Sequence, residues 1–454
     1  MFQFLLRRPV TSFGLSFAVV ILIGAIFLKL PWSTTNDISF LDALFTSTSA
    51  TCITGLVVRD TGTTFTFFGQ IIILILIQLG GLGIMTVAAF VFLLFKKMGI
   101  KVGAGFKTLL EEEYISDVKR ATKFIVIITF LIEAIGATFL FFHWRGIFFD
   151  TGQLAFSSIF HSISAFCNAG LSLFRNNLEN FRGDVFTNLI VASLIILGGI
   201  GFLVLEDFWK NIISFLKNST IHTKFAIHTY QKFKLTLHTK VVLISTACIV
   251  LLGALLFYVF EKENLFYLSQ KELVLSSFFQ VITARTAGFN TLKIGMLTSP
   301  TLLLLILIMF VGAAPASTAG GIKVTSLVLV FLSIISFLKG KEETVIFGRT
   351  IPKIQFKKIF VLVSTYLLFC LVIFLLMLYT EKGNFEKILF EVFSAMGTVG
   401  LSTGITPYLT NIGKALIIIT MFVGRLLPLS IVIIGSRELL KAKIIYPEEK
   451  IILG

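Results

Sequence analysis

The sequence has few charged residues for its size. Charged residues make up 14% of the 454-residue chain, whereas 56% of its residues are hydrophobic and the mean hydropathy is +0.95. So small a polar fraction cannot cover the surface of a soluble globule of this length. The composition therefore excludes a soluble protein and predicts an integral membrane protein in contact with a lipid bilayer.

The sequence also lacks closely spaced cysteine pairs and the motifs of known enzyme classes. The four cysteines lie in or beside apolar stretches without Cys-x-x-Cys spacing, which argues against a disulfide framework or a zinc site. No nucleophile motif, His-Glu-x-x-His or acidic pair lies within the apolar segments, and the isolated Glu133 is compatible with helix packing. No Walker-type loop is present, and Gly103-Ala104-Gly105 lacks the strand-to-helix setting of a dinucleotide site. We therefore expect no enzyme activity, no covalent cofactor and no nucleotide site in this chain.

The basic residues give a formal net charge of +15. They cluster before the first apolar run, in the links around 96–107, 210–234 and 339–358, and in the tail, without a nucleic-acid-binding motif. Basic residues in short links mark the cytoplasmic side of a membrane protein. The pattern predicts cytoplasmic termini and links, and no nucleic-acid partner.

A short glycine motif occurs four times, each time behind an apolar segment. It consists of a small or polar residue, a small or β-branched residue, glycine and a bulky apolar residue. The glycines are 115, 118 and 112 residues apart, which indicates an internal repeat. The copies, here called filter segments 1 to 4, are Thr51-Cys52-Ile53-Thr54-Gly55, Asn168-Ala169-Gly170, Thr286-Ala287-Gly288 and Thr398-Val399-Gly400.

Four such glycines can build one ring of backbone carbonyls. Glycine adopts backbone conformations that other residues resist, and rings of carbonyls replace the water shell of K⁺ in potassium-channel filters. Filter segment 4 carries the Thr-Val-Gly letters of such a filter; alone it could be an ordinary turn, but four copies in register favour a filter. The expected K⁺ ligands are Thr54, Gly55, Asn168, Gly170, Thr286, Gly288, Thr398 and Gly400.

The apolar segments predict the same architecture around each motif. A crossing helix precedes a short amphipathic helix that is too short to span the bilayer, and the filter segment and a second crossing helix follow. The fold class is thus all-α integral membrane, with eight crossings in four tandem repeats of pseudo-fourfold symmetry around a central pore. The predicted boundaries are 1–98, 99–210, 211–338 and 339–436 for the repeats, the second and third each including its preceding cytoplasmic link, and 437–454 for a cytoplasmic tail. In the second repeat we expect one unbroken second helix over 185–205.

Two irregularities interrupt the apolar helices of the later repeats. Glycines, a proline and small polar residues break the second helix of repeat 3, and non-helical backbone at membrane depth is tolerated only where protein or a water-filled cavity covers it. A loop lining the pore is favoured over a kinked helix with close packing. The loop residues are Gly312, Ala313, Ala314, Pro315, Ala316, Ser317, Thr318, Ala319, Gly320 and Gly321.

Arg425 is the second irregularity, inside the second crossing helix of repeat 4. A buried arginine in a membrane is costly and usually faces a cavity with a functional role. We predict that it forms a gate with the loop, whose carbonyls or hydroxyls are candidate partners. Burial against Glu206 or Asp207 is the structural alternative.

These features resemble the Ktr/Trk/HKT superfamily of potassium transporters, most of all its bacterial KtrB-type membrane subunits. The resemblance covers nearly the whole chain and rests on the four glycines, the interruption over 312–322 and Arg425. The lack of further helices before the first repeat favours the Ktr branch. The resemblance implies potassium uptake across the bacterial plasma membrane, a homodimer with one pore per protomer, and an intramembrane gating loop.

The resemblance also implies a cytoplasmic ring of regulatory subunits that carries the nucleotide. Glycine rather than serine at Gly55 favours K⁺ over Na⁺, and similarity to Ktr systems implies activation by Na⁺, for which no site can be identified. The candidate docking segments are 107–120, 211–240 and 437–454. The alternative function is a sodium- or proton-coupled secondary transporter, which would show inverted repeats and broken helices at matched positions of two halves.

Overall fold

The structure, a computed structural model, describes residues 9–96, 116–220, 235–341 and 343–437. The regular secondary structure of this part is helical apart from one small hairpin, and irregular loops connect the elements. The elements are α1 (Pro9–Lys29), α2 (Phe40–Thr51), α3 (Thr61–Thr64), α4 (Phe67–Lys96), α5 (Ser116–Trp144), α6 (Thr151–Phe166), α7 (Val185–Gly199), α8 (Phe202–Thr220), α9 (Leu237–Glu261), α10 (Gln270–Ala284), α11 (Ser299–Phe310), α12 (Val324–Leu338), β1 (Val345–Ile346), β2 (Arg349–Thr350), α13 (Lys353–Thr380), α14 (Phe385–Met396) and α15 (Asn411–Arg437). Most of the predicted docking segments, at 107–115, 221–234 and 438–454, lies outside the described residues.

Four short helices precede the filter segments, as the sequence predicts. Helices α2, α6, α10 and α14 have 12, 16, 15 and 12 residues, fewer than the roughly 20 that cross a bilayer. Three have side-chain N-caps: Ser39, Asp150 and Ser269 accept hydrogen bonds from backbone N–H groups of the first turn. The apolar pattern predicts starts at Leu154 and Leu273, and the caps start α6 and α10 three residues earlier.

Long apolar helices flank the short ones. Within the described residues, three are long and apolar enough to cross a membrane, namely Thr122–Trp144, Leu237–Glu261 and Lys353–Thr380. The bent pair α7 and α8 passes the same test over Val185–Gly199 and Phe202–Ser214 if it is counted as one span. These helices support a membrane protein, and the number of eight crossings stays a prediction.

The second crossing helix of the second repeat is broken, so the prediction of one helix over 185–205 is wrong. Helices α7 and α8 meet at an angle of 99°. Gly201 between them has φ +92°, and the N–H of Phe202 bonds the Ala316 carbonyl instead of its own helix. The break predicted in the third repeat is confirmed, because α11 ends at Phe310 and α12 begins at Val324.

Each second helix packs against a short helix of another segment. Helix α4 contacts α6, α7 contacts α10, α11 contacts α14, and α15 contacts α2. The last of these pairs joins the end of the chain to its beginning. These contacts link the four short helices, and the loops that follow them, into one closed circle.

Candidate functional site

The four filter segments follow the same backbone path. The glycines Gly55, Gly170, Gly288 and Gly400 have φ of +88°, +65°, +80° and +92°, and the residues two positions earlier, Ile53, Asn168, Thr286 and Thr398, have φ of +57°, +61°, +79° and +51°. Positive φ is uncommon outside glycine, so its repetition at the same place indicates a shared requirement. Thr51 is the last residue of α2, so the first irregular segment begins at Cys52 rather than at Thr51.

The glycines bring neighbouring backbones into contact in a closed ring. A Cβ atom on any of them would come closer to the carbonyl oxygen of another segment than van der Waals contact permits. The clashing pairs are Gly55 with Ala169, Gly170 with Ala287, Gly288 with Val399 and Gly400 with Thr54. Only glycine therefore fits these positions, and the order 1, 2, 3, 4 returns to 1.

Several threonine hydroxyls in or just before the filter segments have no protein partner. Buried polar groups are normally hydrogen-bonded, yet the Oγ1 atoms of five buried threonines in or just before the filter segments have no partner. They are Thr51, Thr54, Thr283, Thr286 and Thr398. Such a group of oxygens matches what a dehydrated cation requires in place of water.

The short helices support the ring from behind. The Ser49 hydroxyl accepts a hydrogen bond from the N–H of Gly55 at 3.0 Å, and Ser394 does the same for Gly400 at 3.1 Å. The helices end just before the filter segments, so the negative ends of their dipoles lie next to it. The serine hydroxyls hold the backbone, and the helix dipoles favour a cation over an anion beside the filter segments.

Arg285 is a site residue that the sequence analysis does not single out. It caps the C-terminal end of α10, directly before Thr286, and is 7% exposed. Its Nη2 donates to Thr246 Oγ1 at 3.3 Å, and its Nε has no partner. The sequence signal for Arg285 is a charged residue in a largely apolar stretch, directly before filter segment 3.

The loop between α11 and α12 lies directly against the filter segments. Thr318 Oγ1 is 3.3 Å from the side-chain amide of Asn168, and it contacts the carbonyls of Phe166 and Gly198 at 3.3 and 3.1 Å. Gly320 packs so closely on the Thr398 side chain that a Cβ atom would clash with it. The loop thus touches filter segments 2 and 4.

Within the loop, small residues allow tight folding. Ala316 has φ +56° and Gly321 has φ +67°, and Gly312 packs against the backbone of Gly320. The side chain of Ser317 donates to the Ala314 carbonyl at 2.6 Å. Ala313, Ala314 and Ala319 are buried, and Pro315 is half-buried.

The broken helix pair α7 and α8 holds this loop. The N–H groups of Ala314 and Thr318 donate to the carbonyls of Gly199 and Gly198 at 3.0 and 3.3 Å, and Phe202 N–H donates to Ala316. Each break therefore satisfies backbone groups of the other, as non-helical backbone at membrane depth requires. The glycine run Gly198-Gly199-Ile200-Gly201 was the available sequence signal.

Arg425 holds the same loop from α15. Its Nη1 donates to the Thr318 carbonyl at 2.6 Å and its Nη2 to the Gly80 carbonyl at 2.8 Å. The side chain is 8% exposed. A loop carbonyl is the partner type that the sequence predicts.

The alternative pairing of Arg425 with an acidic residue is wrong. Glu206 forms an ion pair with Lys210 at 2.6 Å. Asp207 accepts hydrogen bonds from Thr236 and Thr239. Glu133, the other isolated acid, packs against a neighbouring helix and accepts from Gln78 Nε2 at 3.2 Å.

These features define a class: a helical membrane protein whose glycine segments converge beside an intramembrane loop. The chain belongs to the TrkH family of cation transport proteins, whose family model matches residues 12–445. It is 41% identical over 452 residues to the Ktr system potassium uptake protein B of Bacillus subtilis, with 98% of this chain and 97% of the relative covered. The potassium/sodium uptake protein NtpJ of Enterococcus hirae is 35% identical over 467 residues, with 98% and 97% covered.

A solved structure has the same fold. The potassium transporter TrkH from Vibrio parahaemolyticus superposes with a TM-score of 0.71 and covers 96% of this chain and 85% of its own. At 20% identity this likeness concerns the fold alone. The predicted family resemblance is confirmed.

Proposed function

We propose that this chain is the potassium-translocating membrane subunit of a Ktr-type uptake system. The observation that carries the proposal is the closed ring of four glycines with unpartnered threonine hydroxyls around it. Relatives named potassium uptake proteins at 41% and 38% identity over nearly the whole chain support K⁺ as the substrate. In this proposal the chain consists of four repeats with pseudo-fourfold symmetry around one pore.

In the filter, K⁺ passes without its water shell. Carbonyl oxygens of the filter segments replace the water, and the threonine hydroxyls add further ligands. The ligands are Thr54, Gly55, Asn168, Gly170, Thr286, Gly288, Thr398 and Gly400. The serine hydroxyls and helix dipoles behind them fix the backbone and favour positive charge.

The loop over 312–321 closes the path below the filter. Its contacts with Asn168 and Thr398 place it against two of the four filter segments. Arg425 keeps it there through the Thr318 carbonyl and adds a positive charge that opposes a cation. The path opens when the loop moves away from the filter.

The remaining parts of the proposal follow from the family resemblance and the relatives' names. The subunit forms a homodimer in the bacterial plasma membrane, with both termini cytoplasmic. A cytoplasmic ring of regulatory subunits binds the nucleotide and controls the loop. Na⁺ activates transport; the name of the NtpJ relative, which includes sodium, supports a role for this ion.

A sodium- or proton-coupled secondary transporter is the second candidate function. Such transporters have broken helices at matched positions of two halves. Repeats 1 and 2 form one half of the chain, and repeats 3 and 4 form the other. The broken second helix of repeat 2 therefore corresponds to that of repeat 4, and the broken second helix of repeat 3 corresponds to that of repeat 1. Helix α4, the second helix of repeat 1, is continuous over Phe67–Lys96, and α15, the second helix of repeat 4, over Asn411–Arg437, so the positions do not match.

Rubidium uptake tests the proposal. The chain is expressed in bacteria that lack their own potassium importers, with and without a Ktr regulatory subunit, as wild type and as Gly55→Ser. Growth at low potassium and rubidium uptake by the wild type, lost or shifted toward sodium in the variant, are expected. A purified chain that moves rubidium into liposomes only with a sodium or proton gradient supports the secondary transporter.

A further inference from the structure

Glu391 is a buried carboxylate behind filter segment 4. It lies in α14 with an exposed fraction of 0%. Its Oε1 accepts hydrogen bonds from Ser402 Oγ at 2.6 Å, Thr403 N at 3.0 Å and Thr403 Oγ1 at 3.3 Å. Its Oε2 accepts from Thr406 Oγ1 at 2.8 Å. One side chain therefore bonds three residues of the stretch that leaves the filter after Gly400.

The same connection recurs in two other repeats. His161 in α6 contacts Ser172 at 2.9 Å, and Gln280 in α10 contacts Thr291 at 3.3 Å. In all three repeats a polar residue of the short helix reaches a hydroxyl residue 11 positions later. We call these contacts the filter braces.

The first repeat departs from this pattern. The corresponding residue is Thr46, whose hydroxyl donates to the Asp42 carbonyl of its own helix, and the position 11 residues later is Val57. The braces therefore differ in strength around the ring. Glu391, with four hydrogen bonds, forms the strongest of them, because bonds to a carboxylate exceed those between neutral groups.

The brace controls the backbone that carries the expected ligands. Ser402 is two residues after Gly400, so a shift of the exit stretch moves the Gly400 carbonyl. A filter that replaces the water shell of K⁺ depends on where its carbonyls are held and on how many of them reach the ion. Na⁺ is smaller, so a loosened carbonyl can close around it.

Resting on the potassium-filter function above, we propose that Glu391 is a positioning residue that sets discrimination between K⁺ and Na⁺. It acts through Ser402, Thr403 and Thr406 and does not itself contact the ion. Without the brace, filter segment 4 relaxes and accepts Na⁺. The loss falls on selectivity rather than on membrane insertion.

The test compares Glu391→Ala, Glu391→Gln and Ser402→Ala with the matched control Glu386→Gln. Glu386 lies in the same helix but is exposed, and its bond within the described residues is to Ser299 of another helix. Rubidium and sodium uptake are measured with purified protein in liposomes, and thermal stability in detergent is followed as KCl or NaCl is titrated. The uptake ratio reports discrimination, and the KCl-induced rise in melting temperature reports ion binding.

We expect Glu391→Ala to lower the rubidium-to-sodium uptake ratio about tenfold, in line with the loss of one charged hydrogen bond. Glu391→Gln keeps one acceptor oxygen and restores part of the ratio, and Ser402→Ala causes a smaller loss. Glu386→Gln keeps the wild-type ratio. The Glu391 and Ser402 variants also need more KCl than the wild type to reach the same rise in melting temperature.

The outcomes separate this inference from the proposed function. If the wild type moves no rubidium, the potassium function fails. If the wild type transports and the Glu391 variants keep its ratio while uptake falls with protein amount, Glu391 is only structural and the inference is wrong. If Glu391→Ala does not fold, Glu391→Gln and Ser402→Ala decide by the same ratio.

Discussion

Replacing Arg425 with alanine removes the cationic contact between α15 and the loop under the filter. The guanidinium donates to the Thr318 carbonyl at 2.6 Å and to the Gly80 carbonyl at 2.8 Å. Gly80 belongs to α4, so its bond fixes the guanidinium, whereas the bond to Thr318 restrains the loop. The variant also removes one positive charge beside the loop, whereas Lys323, which donates to the Ala319 carbonyl of the loop at 2.6 Å, keeps another there.

The Thr318 bond alone sets the lower limit of the effect. A hydrogen bond to a charged group contributes about 1.5–3 kcal/mol, and 1.4 kcal/mol is about a tenfold change in a two-state equilibrium. The fraction of protein with the loop displaced should therefore rise about tenfold or more. The rise ends once the loop is mostly open.

Rubidium uptake without a regulatory subunit measures this effect in liposomes or in cells. We expect about tenfold faster uptake by Arg425→Ala, and a smaller increase by Arg425→Lys, which keeps the charge and one donor group. Arg145→Ala is the control, because Arg145 is an exposed arginine in the turn after α5 and is distant in sequence from the loop. Unchanged uptake by an inserted, folded Arg425→Ala protein would refute the gate.

Three further substitutions test the glycine ring, the ion pair between α2 and α15, and the contact that supports the loop. Gly400→Ala should abolish rubidium uptake at normal expression, because its Cβ would clash with the Thr54 carbonyl at φ +92°; transport at wild-type rate contradicts the ring. Asp42→Asn should destabilise the protein by about 3–5 kcal/mol, because Asp42 bonds the largely buried Lys414 at 2.7 Å and removing one partner of a buried ion pair leaves the other charge buried without compensation. An unchanged melting temperature in detergent contradicts this prediction. Gly201→Ala should raise rubidium uptake without a regulatory subunit. The added Cβ would lie 2.5 Å from the Pro315 carbonyl and would loosen the loop. Slower uptake at equal expression contradicts this prediction.

The broken helices show what the sequence can and cannot predict of the fold. The interruption in the third repeat is visible because a proline, glycines and small polar residues occur together. The break at Gly201 is marked only by the glycines at 198, 199 and 201, which do not predict it, because glycine is tolerated in membrane helices and the run on either side stays apolar. Its cause is the partner of Phe202, the Ala316 carbonyl, which lies more than 100 residues away.

The site likewise contains residues that the sequence predicts and residues that it does not. The glycines could be predicted because their conformational requirement selects one residue type at an even spacing. The interpretation of Arg425 as bonded to a loop carbonyl rests on the same kind of restriction, since an arginine within the membrane needs a partner. The filter braces could not be found, because His161, Gln280 and Glu391 are different residue types that perform one task.

The loop is in direct contact with the filter segments, so opening of the proposed path also changes how the filter is supported. Thr318 contacts Asn168 of filter segment 2, and Gly320 packs on Thr398 of filter segment 4. Both contacted residues are expected K⁺ ligands with positive φ, which other structure must hold in place. If the loop leaves as proposed, these two residues lose part of that support. Filter segment 4 then depends on Glu391 and Ser394, so a filter that remains selective while open needs the brace most where the loop has departed.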